Sequence, residues 1–595
     1  MSLDQRPGID RRALLRALLA LPSATALPGC SSLFAQTLTP VCPTDPVVSS
    51  PGGELTIDAH CHVFNGSDLQ INEFLVKVAT RQSGALGIGA AAVGPLLQWL
   101  GWHLAPDGDR EIAALKKVAD ALRVCTPAQH QQRVLALKQE AYTVGRDQLQ
   151  QALALANAAV PAKRDQVQAL SFGAGAQAEL ARVIDALPAD VETYESQKTG
   201  PMPAPGKVSV ESLTLQSVTG VRDFLLRNFQ YRYVNIYDYL RLYDQAGGRV
   251  VDLMIPSLVD YDFGLARGVA TPTAFAKQVE VMRQLSIVTG GRVHAMAPFD
   301  PLRQVAFARG RSTTDSLSLI QDAVRTKGCL GVKLYPTMGF AAYANARRLQ
   351  ADGRPFWART WLPEWMGDST FGQELDDALD RLYQWAEQED VPIMAHTALT
   401  NGASDDFEAL AGSDGWGQAL ARHPNLRVSF GHFGDSLPVE GGRERAQGFT
   451  RLMKTATGAT GSRAYADAGY FVDVLKKEPA LRDILRELYE DPQGINGAPL
   501  ANRFMYGTDW EMTVVEGDVH AYLTNFVELM DDLQSRPALL AQGVANARKN
   551  FFGLNAATWA GLHQGEPSRI RLEAFYAKTG VAATDWMKKL DATLG

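Results

Sequence analysis

From about residue 248 to residue 509 the chain alternates short apolar runs with amphipathic stretches, the pattern of repeated β-α units. The runs are Arg249–Ile255, Arg292–Pro298, Leu330–Tyr335, Pro392–His396, Leu426–His432, Tyr470–Val474 and Phe504–Asp509. Leu55–Ile57 adds a short strand far upstream and makes eight. Eight parallel strands close naturally into a TIM-type (β/α)8 barrel, so the expected fold is α/β with active-site residues at the strand C-termini. Between the first strand and the rest the period changes to that of helices: Ile112, Leu115, Ala119 and Leu122 share a face, as do Val134, Leu137 and Ala141. Lys198 to Lys207, with Pro201, Pro203 and Pro205, interrupts this block as a loop. The pattern predicts a barrel over 54–66 and 236–560, a large α-helical cap inserted at 67–235, and a helical tail at 561–595.

Composition narrows the class. The 595 residues are 46% hydrophobic and 21% charged, ordinary for a globular protein, and suffice for one large core plus an insertion. A formal net charge of −7 leaves no basic footprint for nucleic acid. The one long uncharged stretch, Ser83 to Trp102, is broken by Gly84, Gly87, Gly89, Gly94 and Pro95 and reads as a buried or site-covering segment.

Residues 1–30 read as a targeting segment. Arg11-Arg12-Ala13-Leu14-Leu15-Arg16 resembles a twin-arginine (Tat) export signal peptide, and Leu27-Pro28-Gly29-Cys30 resembles a bacterial lipoprotein box in which Cys30 is lipidated. Residues 31–53, rich in Ser, Thr and Pro, fit a linker. The expectation is an exported, membrane-anchored lipoprotein of the bacterial cell envelope, facing the periplasm. Cys42, Cys61, Cys125 and Cys329 are too widely spaced for a disulfide framework, though a Cys42–Cys61 bridge is compatible with an oxidising compartment.

The candidate chemistry sits at strand ends. His60 and His62, one residue apart, project from the same face of the first strand. The fifth run ends at His396, the sixth at His432 and the eighth at Asp509. A barrel gathers these ends on one rim, where imidazoles and a carboxylate can hold a divalent ion and leave a position open for water. At these residues the chain resembles the amidohydrolase superfamily, most closely its amidohydrolase-related (amidohydrolase 2) branch of metal-dependent hydrolases and non-oxidative decarboxylases. The matching pieces are Asp58-Ala59-His60-Cys61-His62, Gly331-Val332-Lys333-Leu334-Tyr335-Pro336, Ala395-His396-Thr397, His423-Pro424-Asn425-Leu426, Gly431-His432-Phe433-Gly434 and Tyr506-Gly507-Thr508-Asp509-Trp510. Asn546 to Leu554 resembles the helix after the last strand. The long insertion at 67–235 is not covered by the resemblance.

The resemblance implies that His60, His62, His396 and Asp509 ligate the metal, and that His432 binds it too or hydrogen-bonds the reacting oxygen. Asp509 would be the general base and His432 an oxyanion stabiliser. Zinc leads for a nitrogen-rich set, with manganese or iron as alternatives and one or two ions. Lys333 faces the barrel interior, where an ammonium must be paired or chemically used. It is read as a carbamylated bridge between two metals, a cationic anchor for a substrate carboxylate or carbonyl, or a structural ion pair. Asp473 and Asp435 are undecided supports, and His294 reads as core. The aromatics Phe356, Trp357, Trp361 and Trp365, with Tyr231, Tyr233, Tyr237 and Tyr239, either wall the pocket or staple their own loops. Arg347, Arg348, Arg354 and Arg359 are candidates to meet an anionic group.

The expected activity is hydrolysis of an amide, lactone or ester in a small or medium substrate. Its rivals are a metal-dependent decarboxylase or hydratase, and a non-catalytic exported binding lipoprotein. Oligomeric state is left open by the sequence.

Overall fold

The computed structural model of the chain describes residues 38–79, 94, 97–99, 101–124, 126–157, 190–193, 226–435, 437–455, 463–490, 500–516, 518–537 and 546–594. The export signal, Cys30, Cys125, the Pro-rich loop at 198–207 and most of Ser83–Trp102 lie outside the described residues.

Eight strands are present: β1 Ile57–Cys61, β2 Leu253–Pro256, β3 Met296–Pro298, β4 Gly331–Leu334, β5 Ile393–His396, β6 Val428–Gly431, β7 Ala464–Asp467 and β8 Phe504–Met505. Every residue in them is buried, as in parallel sheets covered on both faces. The ladders form two parallel sheets, β1-β2 and β3-β4-β5-β6-β7-β8, and not the single continuous sheet expected. Backbone hydrogen bonds nevertheless cross both seams. Met254 N–H donates to the Arg292 carbonyl (2.8 Å) and His294 N–H to Met254 (3.1 Å) between β2 and β3. Ala59 N–H donates to Tyr506 (3.0 Å) and Asp509 N–H to His60 (2.7 Å) between the β1 and β8 segments.

The seventh strand is a correction. Tyr470–Val474 is not a strand: Val472–Val474 forms a short turn of helix, and β7 lies upstream at Ala464–Asp467. The more apolar run lost to the one that pairs with β6 and β8, because ladder position and not hydrophobicity decides a two-sided buried strand.

Between β1 and β2 the described residues form helices Ile71–Phe74, Gly108–Arg123, Pro127–Asn157 and Arg232–Leu242. Gly108–Arg123 buries Leu115, Val118, Ala119 and Leu122, and Asp107 caps its N-terminus by accepting from Arg110 N–H (2.9 Å). Among the described residues no helix is long and apolar enough to cross a membrane.

The stretch expected as a linker is docked from residue 38 onward. Leu38, Cys42 and Val47 are buried, Ser49 Oγ donates to Asp585 (2.7 Å), and Ser50 Oγ donates to Asp252 (2.6 Å). Among the described residues Cys42 and Cys61 are not joined by a disulfide, so the Cys42–Cys61 bridge is absent. The C-terminal helices Pro567–Thr579 and Asp585–Leu594 bury Phe575, Tyr576, Trp586 and Leu590. Tyr576 reaches His294 Nε2 (2.6 Å), whose Nδ1 meets the Gly328 carbonyl (2.7 Å), so His294 is a bonded core residue.

Candidate metal centre

His60, His432 and Asp509 are buried and offer ligand atoms that all lie within 4.8 Å of one another. They come from the ends of β1 and β6 and the turn after β8. His432 (φ 65°) and Asp509 (φ 54°) both adopt the left-handed backbone, which costs a non-glycine residue of order 1 kcal/mol. That strain turns each side chain off the end of its strand and toward the centre.

Tautomers follow from the outer partners, since a carbonyl oxygen can only accept. His62 Nδ1 donates to the Ser257 carbonyl (2.8 Å) and His432 Nδ1 to the Gly469 carbonyl (2.9 Å). His60 Nδ1 donates to the Asp467 carboxylate (2.8 Å). All three rings therefore keep an Nε2 lone pair. His396 is turned the other way: its Nε2 donates to the Thr400 carbonyl (3.2 Å), and its Nδ1 is buried without a partner. Burial pushes His60 down to about 4 and lowers His62 and His396, so these imidazoles are neutral and able to donate lone pairs near pH 7.

Asp509 Oδ1 is buried with no hydrogen-bond partner, 3.3 Å from His62 Nε2 and 3.8 Å from His60 Nε2. Burial opposes its charge, and a proton or cation shared with the facing His62 Nε2, with the His432 and His60 rings nearby, holds the carboxyl below the usual range. His62 thus reaches the centre through Asp509. His396 packs beside His432, ring centroids 4.7 Å apart, and is stacked under Tyr335 at 4.2 Å. The tight group of three does not include His62 or His396, although both border it.

Asp467, at the end of β7, is the site residue that sequence reasoning missed. Its carboxylate also accepts from Ser429 Oγ (2.9 Å), His432 N–H (3.2 Å) and Gly469 N–H (3.1 Å). Burial works against its charge, and the His60 imidazole with these bonds more than offsets that, holding the group well below the carboxylate range. The signal was the alternation Ala464-Tyr465-Ala466-Asp467; Asp473, the residue weighed instead, is half-buried in the following turn. Asp58, in the same motif as His60, accepts from Thr508 Oγ1 (2.6 Å) and Tyr239 OH (2.5 Å), and burial pushes it up to about 7. Asp58 therefore ties β1 to the β8 turn.

Lys333 is buried, its Nζ 2.9 Å from His60 Nε2. Burial pushes it down to about 8, with Asp467 and Asp509 pulling the other way. It donates to the lone pair that a cation on His60 would need, so loading such a cation requires Lys333 to move aside or change its chemical state.

A cavity of about 110 Å³ opens beside His62 and Asp509. Tyr335 and Tyr261 line it, but the aromatics considered for the pocket wall do not. Trp357 Nε1 donates to the Gly339 carbonyl (2.6 Å) and its ring packs on Phe371, while Trp361 packs on Phe407 and Trp365 on Phe371. These side chains staple their own loop. Tyr231, Tyr233 and Tyr239 bond Glu140, His130 and Asp58, and Tyr237 stacks on His130. Arg354 and Arg359 pair with Asp352 and Asp406, and none of the four candidate arginines lines the cavity.

No family model matches the chain. No curated protein matches it either. Solved structures similar to it include an uncharacterized TIM-barrel protein from Bordetella bronchiseptica, at 13% identity, 59% of this chain, 84% of that chain and TM-score 0.32. The 5-carboxyvanillate decarboxylase of Sphingomonas paucimobilis aligns at 12% identity over 54% of this chain and 81% of its own, TM-score 0.31. An amidohydrolase from Burkholderia multivorans aligns at 12% identity over 54% and 87%, TM-score 0.29. The neighbours are a barrel protein, a decarboxylase and an amidohydrolase. At these identities and TM-scores they carry no argument about this chain.

Proposed function

We propose that the protein is a metal-dependent hydrolase in which the eight strands work as one (β/α)8 barrel, capped by the chain between β1 and β2. The hydrogen bonds across both seams support the barrel. The observation that carries the activity is the set of outward ring nitrogens already engaged, so that the Nε2 lone pairs of His62 and His432, the orphaned His396 Nδ1 and the orphaned Asp509 Oδ1 are left for a cation, joined by His60 Nε2 once Lys333 moves aside. Buried polar atoms without partners are costly, and a divalent ion is the ligand that satisfies nitrogen and carboxylate donors together. His60, His62, His396, His432 and Asp509 would hold it, with zinc first among candidates and manganese or iron as alternatives. When bound, such an ion polarises a carbonyl and makes water acidic near neutral pH.

The chain's own groups supply the rest. Asp509 accepts the proton of the attacking water and delivers it to the leaving group. His432, whose Nδ1 proton is held by the Gly469 carbonyl, presents a lone pair from the side of β6 and would serve as a ligand to the ion and not as an oxyanion donor. Asp467 fixes the His60 tautomer and, through the His432 backbone, the position of β6's end. Lys333, once released from His60, would be the cationic anchor for a substrate carbonyl.

Elemental analysis of purified wild type beside His60→Ala and Asp509→Ala tests this reading. Stoichiometric transition metal is expected in wild type and a deficit in both variants; metal-free wild type, purified without chelator, overturns it. Turnover in ¹⁸O-labelled water should put solvent oxygen into the product, whereas carbon dioxide release without it would make the enzyme a decarboxylase. Cys30 is further proposed as a lipid anchor in the cell envelope. Cys30→Ser should shift the protein from the membrane to the soluble fraction, and unchanged fractionation would remove that assignment.

A further inference from the structure

The cavity has two unlike sides. His62 and Asp509 form one, while Leu69, Phe74, Leu75, Leu97 and Phe229, all from the chain between β1 and β2, form much of the other. Among the described residues no lysine or arginine lines it. Its volume of about 110 Å³ is somewhat below the roughly 150 Å³ of an apolar cavity that takes up benzene, so it admits one ring or a short branched chain. Gln70 also lines it, with an orientation fixed by its neighbours. Its Nε2 donates to Asp262 Oδ1 (2.7 Å) and to the Val269 carbonyl (2.7 Å), leaving a buried Oε1 with no donor. Gln70 borders the cavity, and this shielded acceptor is met by a ligand N–H once the neighbouring side chains give way.

We infer that the site takes an uncharged amide whose compact apolar arm, about the size of a phenyl ring, lies against Phe74, Leu97 and Phe229 and whose N–H is received by Gln70. A free carboxylate on the arm is disfavoured, because it would enter an apolar space beside Asp509 with no cationic side chain among the described residues of the wall. The inference rests on the hydrolase reading only for the bond that is cut. The arm, the charge and the N–H are properties of the cavity wall, so they are measured on EDTA-treated protein, where failure of the metal reading cannot imitate failure of this one.

Ligand-observed NMR titrations of the full chain compare phenylacetamide with acetamide, N,N-dimethylphenylacetamide and phenylacetate. Phenylacetamide should bind at least about tenfold more tightly than acetamide, the gain expected from burying a ring. It should also exceed phenylacetate and the dimethyl amide by about fivefold or more. Leu97→Trp, which fills the cavity, should abolish the gain from the ring, and Phe74→Ala should cut it about threefold. Gln70→Leu should erase the difference between the two amides while leaving the effect of the ring. Equal binding of phenylacetamide and acetamide, or tighter binding of phenylacetate, overturns the inference. Selectivity as expected in a protein that carries no metal by elemental analysis would leave it standing and remove the hydrolase reading alone.

Discussion

Around His60 every imidazole has its outward nitrogen bonded to an acceptor supplied by a strand or its turn: Asp467, the Ser257 carbonyl, the Gly469 carbonyl and the Thr400 carbonyl. Some residues away, where helix Arg232–Leu242 meets the β1 turn, burial is as complete but the accounting is not. Arg232 is fully buried and paired with Asp68, with a Glu111 oxygen 3.4 Å off, yet its three side-chain nitrogens lack hydrogen-bond geometry. Glu511, two residues past Asp509, keeps an Oε1 without a partner. The strand ends hold a rigid, pre-set arrangement, and the inserted chain is fastened to them by charges that are only partly satisfied. Stability and chemistry should therefore respond to different substitutions.

The largest separation is expected at Asp509. Asp509→Asn keeps the shape but removes the base, and turnover should fall about 10²–10⁴-fold with little change in melting temperature. Loss of fold stability with retained turnover per folded molecule would reverse the assignment. Arg232→Met is the mirror image. Removing one partner of a buried ion pair costs about 3–5 kcal/mol, so the urea midpoint should drop sharply while metal content per folded protein stays at the wild-type value. A smaller effect is expected at Asp467. Asp467→Asn leaves the His60 tautomer unenforced and should weaken metal binding about 10–100-fold by chelator competition. Asp473→Asn, the other acidic residue of this stretch, should leave it unchanged; the opposite ranking would restore the strand position read from the sequence.

That pair also shows what the sequence could convey. Seven of the eight strands lie in or beside the apolar runs picked out, because each run is bounded by turn residues and buried on both faces. Ala464–Asp467 is faint as an apolar run because two of its four residues are alanine and its neighbour Tyr470–Val474 is more apolar. His60, His432 and Asp509 were legible because each ends a run. The partners that orient them were not, since Gly469 and Ser257 contribute carbonyls, which every residue carries. The cavity wall was hidden for a similar reason. Phe74, Leu97 and Phe229 are apolar positions whose sequence does not say what they face, and the conspicuous tryptophans of the loop after β4 pack on Phe371 and Phe407.

The most gradual effect in the comparison is carried by pH, because it accrues over several pH units. Burial pushes the Glu111 carboxyl up from 4.5 to about 8, while the site carboxylates Asp467 and Asp509 are held low. In the folded protein Glu111 keeps its proton where the unfolded chain has lost it, so between about pH 4.5 and 8 the native state binds more protons. Stability must then fall as pH rises through that window, by at most about 1.4 kcal/mol per pH unit for one group, and level off above it. Asp467 and Asp509 act oppositely: their contribution is full above the unfolded carboxylate range and is lost only as pH falls below it. Urea midpoints from pH 5 to 9 should thus decline for wild type and decline less steeply for Glu111→Gln, whose amide cannot ionise, with Asp58 and Glu511 supplying the slope that remains. A slope that survives Glu111→Gln unchanged would mean that the charge softening the fastening of the inserted chain lies elsewhere in the Arg232 cluster, with Glu511, also pushed up to about 8 by burial, the next group to neutralise.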